Sequence, residues 1–339
     1  ILLISYQYKQ GLVPKDNQLE KTLHIGFLIF PGFPMACLTS FIEPLRAANE
    51  ISNEIAFEWS LVSEDKGKVN SSANVGFDPD TTLRQTSGLD FLFLLSAPTN
   101  TFELETTPAH LRTLFRHGVT LGAISGGVFP LMRAGLSTKT PISVHWCYRS
   151  AFDAEFPKIT ASDQVVEIQN RLITASGAAA AFELALHLIE TRLTVGIATE
   201  VAHWFQHPMM RKTNVPQSVP IHKAAGVNTP LPDTIVKAIE LFAQDMSQPI
   251  AIAEVANELH ISPRHLERSF KRATGLSPSH YYRKMRMDAA RQIVMYTNDR
   301  LPDVAANVGY VSVQAFNKHY ETAFGVNPRE DRQRINIYR

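Results

Sequence analysis

The chain has 339 residues, 45% hydrophobic and 19% charged, which is enough for two or three domains with real cores. It contains no run of 18 apolar residues, so no membrane span is expected, and its two cysteines, Cys37 and Cys147, cannot form a disulfide framework and fit a reducing cytoplasm. The net charge of +1 hides an asymmetry, since residues 1–230 carry 18 basic and 20 acidic side chains whereas residues 262–339 carry 14 and 7.

Residues 1–21 have a brief apolar stretch but neither a basic start nor a cleavage site, so we expect a tail and not a signal peptide. Residues 22–207 then alternate apolar strands with amphipathic helices. The predicted strands are 23–30, 57–63, 90–96, 119–125, 141–146 and 171–176. The predicted helices are 40–51, 107–118, 128–135, 178–192 and 196–207. This alternation predicts a three-layer α/β domain with a mostly parallel sheet.

A linker is predicted over residues 208–230, which show little periodicity and are rich in proline. Residues 231–339 are expected to form an all-α domain, in which a helix over 233–246 precedes the other helices and braces them.

Two copies of one pattern fill this C-terminal domain, at 252–283 and 301–332. Their shared positions are Val255 and Val304, Ala256 and Ala305, Phe270 and Tyr320, Gly275 and Gly325, and Pro278 and Pro328. Corresponding residues of the two copies are 49 positions apart at the start and 50 apart from Leu266 onward, so the alignment of the copies shifts by one residue. Each copy is a short helix, a tight turn and a second amphipathic helix. That layout predicts two helix-turn-helix motifs that bind DNA, and the local excess of basic side chains suits a phosphate backbone.

In the first copy, Ser262 and Pro263 are predicted to start the second helix. The expected core residues are Val255, Ala256, Leu259, Leu266 and Phe270. The side chains expected to face outward are Arg264, His265, Arg268, Lys271 and Arg272. Arg264 and Arg268 share one helix face, and arginine suits the O6/N7 edge of guanine.

In the second copy, Ser312 is the predicted N-cap, and Gln314, Asn317 and Lys318 are predicted to point outward. Glutamine and asparagine suit adenine. The alternative is that these helices are merely solvated faces of a bundle, but two copies joined by a basic helix favour DNA binding.

The C-terminal pair resembles the AraC/XylS-type DNA-binding domain. The resemblance is carried by the second copy, DVAANVGYVSVQAFNKHYETAFGVNPRED, with its Val-Ala, Gly-aromatic turn and Phe-Gly-x-x-Pro. It implies two recognition helices in successive major-groove segments. The base-reading candidates that it implies are Arg264, Glu267, Arg268, Val313, Gln314, Asn317 and Lys318. The first copy departs from the family at His260, where a turn glycine is usual.

In the N-terminal domain, Ser125 is predicted to lie on a sharp strand-to-helix turn in GAISGGVFPLMRAG. The pattern is not G-x-S-x-G, because Ala123 stands two residues before the serine, so an α/β-hydrolase is disfavoured.

Residues 22–207 resemble the PfpI-type, class I glutamine-amidotransferase-like domain of GlxA-type AraC regulators. The matching segments are HIGFLIFPGFPMACLTSFIEPLRAANE, LGAISGGVFPLMRAG, VHW and ASGAAAAFELALHLIE. In the enzyme relatives the turn residue is a cysteine with a histidine beside it, whereas here Ser125 is followed by Gly126. We expect a water-exposed serine without an adjacent base to be inactive, so the pocket is predicted to sense a small molecule. The candidate pocket residues are Glu43, Ser125, Gly126, His145, Trp146 and Ser176.

Two of these candidates have specific expected roles. Glu43, carried over from the family's carboxylate on the first helix, is expected to accept a hydrogen bond or to offset a cationic ligand, since a carboxylate among apolar helix positions needs a partner. Trp146 is expected to lie against a ligand, including a cation. Core packing is the alternative for Trp146, and for His145 it is the favoured interpretation.

The chain is thus predicted to be a cytoplasmic transcriptional regulator, an activator, that dimerises through its N-terminal domain. The expected partners are double-stranded operator DNA, a small-molecule effector and RNA polymerase, with no metal, cofactor or membrane. The resemblance to GlxA-type regulators implies that the effector is an amine or an amino-acid-like compound. One alternative is a hydrolase or amidase fused to a DNA-binding module, with Ser125 as nucleophile and His145 as base. Another is an architectural DNA binder whose α/β domain only dimerises.

Overall fold

The computed structural model describes residues 22–136, 141–169, 171–207, 231–297 and 299–335. These residues form two compact units, one on each side of the interval 208–230. The predicted tail and the predicted linker lie outside the described residues, so the domain boundaries stay predictions.

A seven-stranded sheet forms the centre of the N-terminal unit. The strands of this unit are β1 Leu23–Ile29, β2 Phe57–Ser63, β3 Val69–Asn70, β4 Gly76–Phe77, β5 Thr81–Thr82, β6 Phe91–Leu95, β7 Thr120–Ile124, β8 Ile142–Ser143, β9 Ala161–Ser162, β10 Val166–Gln169 and β11 Leu172–Ala175. The sheet has the order β10-β11-β7-β6-β1-β2-β5. Within it every pair is parallel except β10–β11, which confirms the mostly parallel sheet.

Helices cover this sheet on both faces. The helices of the unit are α1 Met35–Ser52, α2 Thr107–Arg116, α3 Val128–Arg133, α4 Arg149–Glu155, α5 Ala178–Arg192 and α6 Val195–Trp204. Successive side chains of a strand point to opposite faces. In β6, Phe91, Phe93 and Leu95 join the hydrophobic cluster that includes α1, α5 and α6, while Leu92 and Leu94 lie outside that cluster and are equally buried. Burial on both faces is typical of a parallel sheet between two helical layers.

Two predicted elements of this unit differ from the structure. The strand predicted over 141–146 is only two residues long and pairs with β9, outside the main sheet. It stops because the His145 side chain accepts a hydrogen bond from the Cys147 backbone N–H, which starts a 3₁₀ turn over Trp146–Tyr148. The helix predicted over 40–51 begins earlier, at Met35, directly after Pro34.

The C-terminal unit is helical throughout its described residues, as predicted. Its helices are α7 Asp233–Gln244, α8 Ile252–Glu258, α9 Pro263–Thr274, α10 Pro278–Tyr296, α11 Leu301–Asn307, α12 Val313–Phe324 and α13 Pro328–Ile335. In the part of the chain that the structure describes, no helix combines the length and apolar character needed to cross a bilayer.

Each helix-turn-helix copy has its own hydrophobic core, and α10 contributes to both. The first core joins α7, α8 and α9 with Tyr281 and Tyr282 from the start of α10. The second joins α11 and α12 with the later part of α10, from Met287 to Val294. Ile235 and Phe242 of α7 are completely buried in the first core, so α7 braces the first motif as predicted. A continuous helix therefore holds the two motifs together.

Candidate ligand pocket and DNA interface

Ser125 lies on a strained turn between β7 and α3. Its φ of +57° is in the left-handed region, which a residue with a Cβ occupies only at a cost in free energy. A 3₁₀ turn over Ser125–Gly127 then leads into α3. The sharp turn is as predicted, but the serine is only 6% exposed, so the expectation of a water-exposed side chain is wrong. The turn therefore leaves Ser125 buried instead of raising it into water.

The two glycines after Ser125 are fixed by close backbone approach. A Cβ at Gly126 would overlap the carbonyl oxygen of Ser96, and one at Gly127 would overlap that of Leu94. The position after Ser125 therefore has no room for any side chain, including the histidine of the enzyme relatives. This packing gives a physical reason for the lack of a base beside Ser125.

The strand register brings three serines to the carboxyl edge of the sheet. Ile124 is paired with Ala175 of β11 on one side and with Leu95 of β6 on the other. The next residues are Ser125, Ser176 and Ser96, and all three are buried. The structure thus brings together the predicted residues Ser125, Gly126 and Ser176. Sequence reasoning missed Ser96, although it ends the apolar run of β6 just as Ser125 ends that of β7.

His145 lies next to the turn that starts α5. A Cβ at Gly177 would be 3.2 Å from Cδ2 of His145, so the imidazole adjoins the residue after Ser176. Its Nδ1 is 2.9 Å from Sγ of Cys147. Burial lowers the pKa of His145 and raises the pKa of the Cys147 thiol to about 12. The pair is therefore a neutral imidazole and a protonated thiol at neutral pH, which is not an activated nucleophile. No sequence motif pointed to Cys147 at this place.

Three aromatic rings cluster beside this turn. The His145 ring is 5.5 Å from that of Trp146 and 5.6 Å from that of Tyr148, measured between centroids. All three side chains are half-buried, so Trp146 is not a core residue. Partly exposed aromatic faces in one place are suited to an organic cation.

Glu43 has a partner on its own helix. It accepts a hydrogen bond from Nε of Arg46 at 3.0 Å, and Arg46 also pairs with Glu50 at 2.8 Å. The Glu43 side chain is 47% exposed. The partner that this carboxylate was expected to need is therefore Arg46 of its own helix, and its role towards a ligand stays a prediction.

Among the residues that the structure describes, no three His, Cys, Asp or Glu side chains come close enough to hold a metal ion.

The second helix of the first motif, α9, exposes mainly polar side chains on its outer face. Ser262 caps it by accepting a hydrogen bond from the backbone N–H of His265, as predicted, and Leu266 and Phe270 are completely buried. The predicted contact residues are all exposed, namely Arg264, His265, Glu267, Arg268, Lys271 and Arg272. All six side chains therefore lie outside the core.

The corresponding helix of the second motif, α12, is capped in the same way by Ser312, which accepts from the backbone N–H of Ala315. Gln314 and Lys318 are exposed, four residues apart on one face. Val313 and Asn317 are half-buried, and Val313 packs against the second core. The prediction that Asn317 points outward is therefore only half right, because its Oδ1 is buried and accepts no hydrogen bond from the described residues.

The turns of the two motifs share a left-handed residue. Its φ is +54° at His260 and +72° at Gly309. The departure from the family's glycine at His260 thus leaves the backbone geometry unchanged and puts a side chain where glycine is favoured.

Comparison with known proteins agrees with both halves of this architecture. The DJ-1/PfpI family matches residues 27–191, and a helix-turn-helix domain family matches residues 255–334. The HTH-type transcriptional regulator GbdR of Pseudomonas aeruginosa is 31% identical over 96% of this chain and 88% of its own length. The chain belongs to the AraC family of transcriptional regulators that carry a DJ-1/PfpI domain.

Two further proteins are similar to this chain. The HTH-type transcriptional regulator GlxA of Rhizobium meliloti is 26% identical over 91% of this chain and 95% of its own length. A crystal structure of an AraC family transcriptional regulator from Pseudomonas putida is 22% identical, covers 54% of this chain and 99% of its own, and has a TM-score of 0.48. The curated relatives are regulators, which confirms the prediction of a DNA-binding role and not an enzymatic one.

Proposed function

We propose that this AraC-family protein is an activator that binds operator DNA through α9 and α12 and is controlled by a small cationic metabolite bound at the carboxyl edge of the sheet. The observation that carries the proposal is the pair of serine-capped helices that keep polar side chains exposed on their outer faces. Regulators of this kind are expected to act as homodimers in the cytoplasm, with RNA polymerase as a further partner.

Base recognition is assigned to the exposed side chains. Arg264 and Arg268 are suited to guanine in the first segment of the operator, and Gln314 is suited to adenine in the second. Lys318 is a point charge, which fits a phosphate.

The test of the DNA assignment is selection of binding sites from a random library, followed by affinity measurements at physiological salt. Arg268→Ala is expected to weaken binding to the selected site by about 1–3 kcal/mol and to relax the preference at one position. Lys237→Ala, an exposed cation on α7, is the matched control and is expected to have little effect. Binding without sequence preference would contradict the proposal.

An amine or amino-acid-like effector is supported by the chemistry at the pocket. The half-buried rings of His145, Trp146 and Tyr148 offer faces to a cation, and Ser125 and Ser176 offer hydroxyl groups. Burial raises the pKa of the neighbouring Cys147 thiol to about 12, so this thiol is protonated at neutral pH, which supports binding over catalysis.

The effector is tested by thermal shift of the protein against amines, betaines and amino acids. A ligand at about 100 times its Kd is expected to add about 2.7 kcal/mol of stability. Trp146→Ala should abolish the shift, whereas Trp204→Ala, another half-exposed tryptophan, should leave it intact. Covalent labelling by a serine-directed acylating probe that is lost in Ser125→Ala would support an enzyme instead.

The activator assignment is tested by transcription in vitro with and without the effector. The dimer assignment is tested by sedimentation.

A further inference from the structure

The one-residue slippage between the two copies has a definite location in the structure. In the first turn the backbone N–H of Ile261 donates to the carbonyl of Ala256, and in the second that of Tyr310 donates to Ala305. Ile261 and Tyr310 are 49 positions apart, and so are Ala256 and Ala305. The helix caps, Ser262 and Ser312, have the offset 50. The inserted residue is therefore Val311, between Tyr310 and the cap.

The side chain of Val311 lies in solvent. It is fully exposed, at 106% of the reference area, whereas its neighbour Tyr310 packs on the second core. A large apolar side chain held entirely in water loses the stabilisation that burial would give. The fold therefore presents Val311 just before the first turn of α12, the end from which recognition helices contact base edges.

The turn that carries Val311 is firmly held. Arg286 of α10 donates to the carbonyl oxygens of Val308 and Gly309, both at 2.7 Å. Its guanidinium also lies 4.4 Å from the centroid of the Tyr310 ring. The position of Val311 is thus set before any partner binds, which reduces the entropy lost on binding.

Positive charges flank the turn that carries Val311. Arg286 contacts the Val308 and Gly309 carbonyl oxygens and the Tyr310 ring. Burial, with the charges of Arg283, Lys318 and Arg286, lowers the pKa of His319, which is hydrogen-bonded to Tyr310. An exposed apolar side chain on such a turn does not resemble the apolar core of a protein–protein contact, which is depleted in charge. It does fit a DNA groove, where an apolar group lies between two phosphate backbones.

We propose that Val311 is a specificity-determining residue that contacts the C5-methyl group of a thymine next to the base read by Gln314. The methyl group of thymine is the apolar feature of the major-groove edge, and it is the natural partner for a valine. This inference rests on the proposed function, since it requires that α12 lie in the major groove. The first motif has no inserted residue, so this thymine preference should occur only in the operator segment of the second motif.

The experiment replaces thymine by uracil, one position at a time, in a site selected for the full-length protein. Uracil lacks only the methyl group. For the wild-type protein, one position in the second segment should lose affinity about fourfold, which corresponds to about 0.8 kcal/mol for one buried carbon. For Val311→Ala, that same replacement should change affinity by less than about twofold, as expected for two groups that interact directly. Ile55→Ala, which removes an exposed apolar side chain elsewhere, is the control and should retain the fourfold loss.

The outcomes separate this inference from the proposed function. If no site is selected, the proposed function fails. If a site is selected but no uracil position depends on Val311, the inference is overturned while the proposed function stands. If Val311→Ala leaves the uracil profile unchanged but reduces transcription from the bound promoter, the residue contacts a protein and not DNA. Because Val311 is fully exposed, the variant should fold with the stability of the wild type.

Discussion

At the residue scale, each unit has a turn that holds a residue other than glycine in the left-handed region. Ser125 and His260 adopt left-handed φ values that glycine adopts without strain. At Ser125 the strain accompanies a close approach of two glycines to β6. At His260 it arises because the turn geometry is dictated by the helices on either side, and the second motif meets the same demand with Gly309.

Gly309 is expected to be more sensitive to substitution than the other turn glycines. A Cβ there would overlap the Pro249 ring and come within 2.7 Å of the Met246 carbonyl oxygen, whereas a Cβ at Gly325 would meet nothing within 4 Å. Both glycines have positive φ, so Gly325→Ala should lower the free energy of unfolding by about 1–2 kcal/mol and Gly309→Ala by clearly more. Chemical denaturation measures both. Equal losses would show that the contact with Pro249 is relaxed at no cost.

The half-buried histidine of the pocket predicts a dependence of stability on pH. Burial lowers the pKa of His145 below its ordinary value of 6.5, so below that pH the unfolded chain binds a proton that the folded chain does not. Stability should therefore fall as the pH drops from about 6.5 through the folded-state pKa. His145→Gln should reduce this slope, measured as the melting temperature between pH 7.5 and 5. His187, whose pKa burial also lowers, should sustain part of the slope in the variant.

At the element scale, the two motifs use the same positions with different chemistry. In the first, the Phe270 ring lies 5.2 Å from that of Tyr281 in an edge-to-face contact. At the corresponding positions of the second, the hydroxyl of Tyr320 donates to Asp331 at 2.8 Å. Asp331 is buried and also accepts from Arg291. An apolar contact has thus been replaced by a charged network in the same place.

This network makes Asp331 a strong determinant of stability. Asp331→Ala would leave the buried Tyr320 hydroxyl and the partly exposed Arg291 guanidinium without their acceptor, at a cost of about 1–3 kcal/mol. Asp303→Ala, which breaks an exposed pair with Arg300, should cost less than about 1 kcal/mol. Urea denaturation of the two variants compares them directly. A loss at Asp331 no larger than that at Asp303 would mean that the network adds nothing beyond a surface pair.

The local sequence predicts the elements well and the site only in part. The helix over 178–192 is predicted with its observed ends because its alanine-rich run follows Ser176-Gly177. The contact between Glu43 and Arg46 could also have been expected from their spacing of three. In contrast, the positions of Ser96 and Cys147 depend on which strands are neighbours and on where β8 ends. Strand order is a non-local property, and a single sequence does not specify it.

At the scale of the whole molecule, the two proposed functions are assigned to different compact units. The excess of basic side chains lies in the unit with the recognition helices, and the buried serines and half-buried rings lie in the other. Each unit has its own hydrophobic core.

Separate cores predict separate unfolding transitions. Calorimetry of the full chain should show two, and the effector should raise the midpoint of one while operator DNA raises the midpoint of the other. Truncation after residue 207 should remove the transition that responds to DNA. A single transition, shifted equally by either ligand, would show instead that the units unfold as one.

The continuous helix α10 has a consequence for the evolution of the operators. Its 19 residues span about 28 Å, and its two ends belong to different cores. This single helix therefore fixes the separation of α9 and α12. A single base pair gained between the two segments of a site would rotate one segment by about 34° relative to the other. Because α10 fixes their separation, α9 and α12 would not adjust to this rotation. Promoters under the control of this regulator should therefore diverge by substitution of bases within the segments, while the length between the segments stays constant.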